Sequence, residues 1–146
     1  MYFKILQIGI PFIWFGMIGA ISFMETPLKF RAPNMTLALG LGVGRLVFYA
    51  LNKVELVLAI LFVVALLSHR PAGRFAIGAA VVVISLLLLQ TVWLLPALDV
   101  RAEAVISGSA QPFSYTHIIY IVFEALKFIL LFALGVNLAK EHLKFE

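Results

Sequence analysis

Four long apolar stretches, residues 5–24, 46–67, 75–95 and 115–139, leave this chain very few ways to fold. Each approaches the roughly 20 residues a helix needs to cross about 30 Å of hydrocarbon. The stretches run continuously in Leu, Ile, Val, Phe and Ala, without the two-residue alternation of half-buried strands, and Pro- or Gly-bearing breaks separate them. Of the 146 residues, 64% are hydrophobic and 12% charged, and mean hydropathy is +1.11, beyond what a water-soluble domain of this size carries. The expected fold is all-α: an integral membrane four-helix bundle in antiparallel up-down order, a single domain over residues 1–146 of a cell (inner) membrane protein. Ala20 and Ser22 resemble a small-residue cleavage site. The first apolar run is too long for a signal peptide, however, so it is expected to remain as a span.

Orientation follows from Lys and Arg near the span ends, because basic loops stay on the cytoplasmic side. Lys4, Arg70, Arg74, Lys140 and Lys144 fall on one side; Lys29, Arg31 and Arg101, with Arg45 at a span edge, share the other with Glu25, Asp99 and Glu103. Both termini are therefore expected in the cytoplasm. The net charge of +4 then serves topology and a weak attraction to anionic headgroups, and no basic stretch is dense enough for nucleic acid. The absence of cysteine excludes disulfides, thiolate metal sites and thiol catalysis.

The short connection at residues 68–74, with Pro71 and Gly73, makes the second and third spans antiparallel neighbours. The loops at 25–44 and 96–114 are longer and extracytoplasmic, where a cap over a pocket would originate. Small residues in the first span (Gly16, Gly19, Ala20) and around the third (Ala72, Ala76, Ala80) allow close helix packing. The Gly40, Gly42, Gly44 series has no preceding strand and no Lys-Ser/Thr ending, so it is not a phosphate loop and reads as a bend into the second span.

Charges inside the spans carry the most information, since each costs on the order of 2.5–3.5 kcal/mol at the bilayer centre. His117, Tyr120, Glu124 and Lys127 follow at three, four and three residues and form one helical stripe. Arg45, Asn52 and Glu55 form another on the second span, read as otherwise apolar. Both stripes must face inward. At about 1.5 Å per residue, Glu55 and Lys127 lie about 18 Å, and Gln90 and Glu124 about 22 Å, from the cytoplasmic ends of their spans. These four share one layer; Glu25, Arg45, His117 and Asp99 share a second, about 31–36 Å up. Glu55 is expected to pair with Lys127, within about 8 Å, with Glu124, Tyr120 and Gln90 alongside, and Arg45 to pair with Glu25 or Asp99.

Such a cluster is either a structural network that fixes helix register or a functional pocket. Intramembrane charge favours the pocket, because apolar packing would fix register at lower cost. It could bind a polar or cationic ligand, or relay protons through Glu124 and Glu55. His117, Glu124 and Glu55 are the only weak metal candidates, and Lys127 and Arg45 would repel a cation. Bis-histidine haem is disfavoured because His69 falls in the cytoplasmic loop and His142 in the tail, leaving His117 as the one interior ligand. The cofactor is left unknown, with none singled out, and no nucleophile–base pair points to catalysis. Trp93, near a span end, reads as an interfacial belt residue, while Trp14, in mid-span, packs or lines the cavity.

Trp14-Phe15-Gly16-Met17-Ile18-Gly19, Pro27-Leu28-Lys29-Phe30, Gly42-Val43-Gly44-Arg45-Leu46-Val47-Phe48 with Asn52 and Glu55, and Leu95-Pro96-Ala97-Leu98-Asp99-Val100-Arg101 before His117 together resemble uncharacterised bacterial four-span membrane proteins. These are distantly similar to the copper-resistance-D-like superfamily. That resemblance implies copper uptake or haem-dependent porphyrinogen oxidation as relatives' activities. The first span lacks the histidine the haem-binding type places there, and the chain has no Met-x-Met or Cys ligands for copper(I), so no functional residue is carried over.

The expected function is binding or transport of a small polar ligand, ion or proton by a pocket of Glu25, Arg45, Asn52, Glu55, Gln90, His117, Tyr120, Glu124 and Lys127. The alternatives are an accessory subunit of a larger membrane complex and a membrane redox or metal protein. Four helices enclose little volume, so lipid aside, a homo-oligomer or larger complex is the expected partner.

Overall fold

A computed structural model describes residues 2–68, 73–109 and 111–143. Pro71 of the short connection, Ala72 of the small-residue series, and His69, Arg70 and Lys144 lie outside them. The described residues form helices: α1 (Tyr2–Ile18), a π-helical segment (Gly19–Glu25), α2 (Thr26–Lys29), α3 (Leu37–Ser68), α4 (Arg74–Leu89), a second π-helical segment (Gln90–Leu94), α5 (Leu95–Ile106) and α6 (Thr116–Leu143). Taken through the π segments, four helices are long and apolar enough to cross a membrane: Tyr2–Lys29, Leu37–Ser68, Arg74–Ile106 and Thr116–His142.

The helices run further than the apolar stretches. Most of the expected loop at 96–114 is helix to Ile106, and the loop at 25–44 shrinks to the residues between Lys29 and Leu37. The physical reason lies in the π segments. A proline has no N–H to give and its ring collides with the carbonyl four residues back, so Pro27 and Pro96 should stop a helix. Instead the residue before each reaches one position further, Thr26 N–H to the Ile21 carbonyl and Leu95 N–H to the Gln90 carbonyl. The widened turn carries each helix past its proline.

The two helix pairs correspond. The chain separation between Pro27 and Pro96 also divides Ser22 from Thr91, Glu55 from Glu124, and the ends of the π segments, Glu25 and Leu94.

Packing is closest between α1 and α6, then between α1 and α3; α4 lies on α6, and the third helix meets α3 mainly through α5. Hydrogen bonds set the levels: Gln7 reaches Ala65 and His142, Trp14 reaches Glu55, and Ser22 reaches Glu124. As α1 rises in number, its partners fall. From the Gln7 end to the middle the interior is mostly apolar, with Ile10, Ile18, Phe62, Ala80, Leu131 and Leu134 buried beside the polar pair Gln7 and His142 and the buried Asn137 Oδ1. The Arg45 end has only a small cluster around Leu94, Leu95 and Tyr120. Large apolar side chains also cover the outside, Leu67 at 79% and Val92 at 77% exposure, a surface suited to lipid and not to water.

The glycines of α3 do not bend it. The helix passes through Gly40, Gly42 and Gly44 unbroken. Gly40 has no Cβ because the ring of Phe30 occupies that space, and at Gly44 the Lys29 ammonium would lie 3.0 Å from one. Small size here admits two side chains from α2 and the turn after it.

Candidate functional site

Three buried charges meet at one level of the bundle. Lys127 Nζ lies 2.5 Å from Glu55 Oε1 and 2.8 Å from Glu124 Oε1. None of the three side chains belongs to a residue more than 1% exposed. Around them, Trp14 Nε1 donates to Glu55 Oε1 at 2.7 Å, Gln90 Nε2 to Glu124 Oε1 at 2.8 Å, and Ser22 Oγ to Glu124 Oε2 at 2.5 Å. Every one of the four long helices therefore supplies a group. Ser22 and Gln90 both stand on π segments, whose extra residue per turn re-aims side chains and is common at functional sites. Gln90 Oε1 is buried without a hydrogen-bond partner among the described residues. Two carboxylates share one ammonium.

Toward the Arg45 end two adjoining hollows open, of about 320 and 330 Å³. Thr26, Phe30, Phe48, His117 and Tyr120 line both. The inner one ends on Ser22 and Glu124. The outer one reaches Lys29, Arg45 and Asp99. Tyr120 is 4% exposed, packs edge-on against Phe48 at 5.4 Å between centroids, and its hydroxyl makes no hydrogen bond among the described residues. At the rim Arg45 grips Asp99 with two bonds, Nε to Oδ1 at 2.6 Å and Nη2 to Oδ2 at 3.1 Å, and its Nη1 donates to Glu103. Such a fork fixes the position of α5 over α3. Lys29 pairs with Glu25 at 3.4 Å and stands 5.6 Å from the ring centroids of both Phe30 and Phe48.

The nine residues expected in one pocket thus occupy four places. Arg45, His117, Tyr120 and Glu124 line the hollows; Glu55, Gln90 and Lys127 lie behind Glu124. Asn52 donates to Thr91 Oγ1 at 2.9 Å, and Glu25 turns to Lys29. Arg45 takes Asp99, one of its two expected partners. His117 is exposed at the rim and not an interior group, because the hollow opens beside it. His142 is on the last turn of α6, 7% exposed, with Nε2 2.8 Å from Gln7 Oε1.

Reasoning from charge alone passes over Ser22 and Gln7, which are uncharged; Trp14, expected to pack or line the cavity, lines neither hollow and donates to Glu55, and Lys29, expected in a loop, pairs with Glu25 at the end of the outer hollow. The same reasoning passes over Lys53, one position beyond Asn52, which is exposed on the outer face of α3. The correspondence of Ser22 with Thr91 and of Glu55 with Glu124 was the signal that could have drawn Ser22 in.

Copper or haem does not fit this donor set. Among the described residues no three of His, Cys, Asp and Glu gather to hold a metal, and the two buried carboxylates already share the Lys127 ammonium. No protein-family model, curated protein or solved structure matches the chain.

Proposed function

We propose that the chain is a multi-pass protein of the cell (inner) membrane, with helices in antiparallel up-down order and both termini cytoplasmic, that binds or transports a small polar ligand from the extracytoplasmic side. The distant kinship to the copper-resistance-D-like superfamily is part of this proposal and brings no copper or haem chemistry with it. One observation carries the reading: the inner hollow ends on Glu124, a carboxylate tied by Lys127 into a network drawn from all four helices. A group held only for register has no need of a hollow leading to it, and sites of this kind are mostly apolar with a few convergent polar groups. A hollow of about 330 Å³ suits a molecule of few non-hydrogen atoms.

The absence of cysteine supplies the test, because a single introduced thiol is the only one in the protein. Thr26→Cys is nearly isosteric and lines both hollows. In intact cells an uncharged, water-soluble thiol reagent added outside labels it. Labelling only after the cytoplasmic face is opened, or none, overturns the proposal.

One observation favours a second reading, an accessory subunit of a larger complex. Lys53 faces outward two residues from Glu55 in a helix otherwise exposed through Val54, Val57, Ile60 and Val64. An ammonium at that depth is costly against acyl chains and is relieved by a carboxylate on a neighbouring helix.

A further inference from the structure

We infer that the ligand of the hollow is an organic cation, a small ammonium with an apolar body. This rests on the cavity reading above and names its ligand class. The charged side chains that line the two hollows balance, Lys29 and Arg45 against Asp99 and Glu124, but behind them Glu55 and Glu124 face the single ammonium of Lys127, one carboxylate in excess. That excess reaches the floor: Glu124 shares its one cation with Glu55. The walls are aromatic, with Phe23, Phe30, Phe48 and Tyr120 around the inner hollow. Rings attract cations through their faces, and Lys29 already stands over two of them. The Tyr120 hydroxyl, on a residue 4% exposed, borders the hollow without a hydrogen-bond partner among the described residues and can accept an ammonium N–H. Glu124 Oε2 carries only the Ser22 bond and can accept a second. A bare metal ion finds too few oxygens here, since the side chains of Glu124, Ser22, Thr26 and Tyr120 fall short of the six or more that hard cations take.

The helix-pair correspondence sets the two halves apart. Where the second pair has Tyr120 and an open floor at Glu124, the first pair has Leu51, and Asn52 and Thr91 close on each other beside Glu55.

The same Thr26→Cys protein tests the inference in lipid nanodiscs, with His117→Cys as a second variant. Labelling rates are compared for trimethylammonium-ethyl and sulfonato-ethyl methanethiosulfonate, each normalised to a free thiol. The expected result is a preference for the cationic reagent of at least about tenfold, as one nearby charge at intermediate dielectric produces, and its collapse in Glu124→Gln. Likewise 2-phenylethylammonium slows labelling by an uncharged reagent and 2-phenylethanol does not. Equal normalised rates, or equal protection by the alcohol, overturn the cation assignment while leaving the cavity standing. No labelling by any reagent at either position overturns both.

Discussion

Lys127 Nζ stands between two carboxylates from different helices, 2.5 Å from Glu55 on α3 and 2.8 Å from Glu124 one turn before it on its own helix. The three groups therefore do not contribute equally. Removing a carboxylate leaves the lysine with a counter-charge; removing the lysine leaves two carboxylates with hydrogen bonds but no cation.

Lys127→Met is accordingly the most damaging single change in the cluster. Stranding buried charge costs about 3–5 kcal/mol. Glu55→Gln keeps shape and hydrogen-bonding capacity, and its cost is about 1–3 kcal/mol. Unfolding in mixed micelles ranks the two. A Lys127→Met protein as stable as Glu55→Gln contradicts the shared-cation arrangement.

Glycines separate close packing from empty surface. A Cβ at Gly135 would lie 2.9 Å from the Phe12 ring, whereas at Gly16 it would meet nothing within 4 Å. Gly135→Ala is expected to destabilise by about 1–3 kcal/mol through overpacking. Gly16→Ala leaves the monomer unchanged or slightly more stable, by the helix propensity of alanine. Thermal unfolding of both checks the packing of α1 on α6.

Lys53 tests the subunit reading. If a neighbouring carboxylate meets it, Lys53→Leu lowers the mass of the native membrane complex on mild solubilisation and leaves the isolated chain as stable as before or more so. A complex of unchanged mass contradicts a role for this face.

The polar stripes were legible because charge in an apolar run is rare and helical spacing is strict. Three, four and three residues put His117, Tyr120, Glu124 and Lys127 on one face, and counting along the helix put Glu55 at the level of Lys127. The ends of the helices were not legible. Pro27 and Pro96 read as breaks, and nothing in hydropathy announces a π turn that lets a helix continue past proline. Ser22 was hidden for a different reason: it is a common apolar-span residue until a carboxylate is placed opposite, at 2.5 Å. The stripe on α3 led past Lys53, since one residue further is a turn of about 100° onto the outer face.

The coupling between Glu55 and Lys127 holds the buried cluster together, and a double-mutant cycle of Glu55→Gln and Lys127→Met measures it. In contact, the two changes are non-additive: once the lysine is gone, neutralising Glu55 relieves one stranded carboxylate, and the double variant is more stable than the sum of single losses by more than about 1 kcal/mol. Additivity within about 0.5 kcal/mol would mean that the two side chains do not meet inside the bundle.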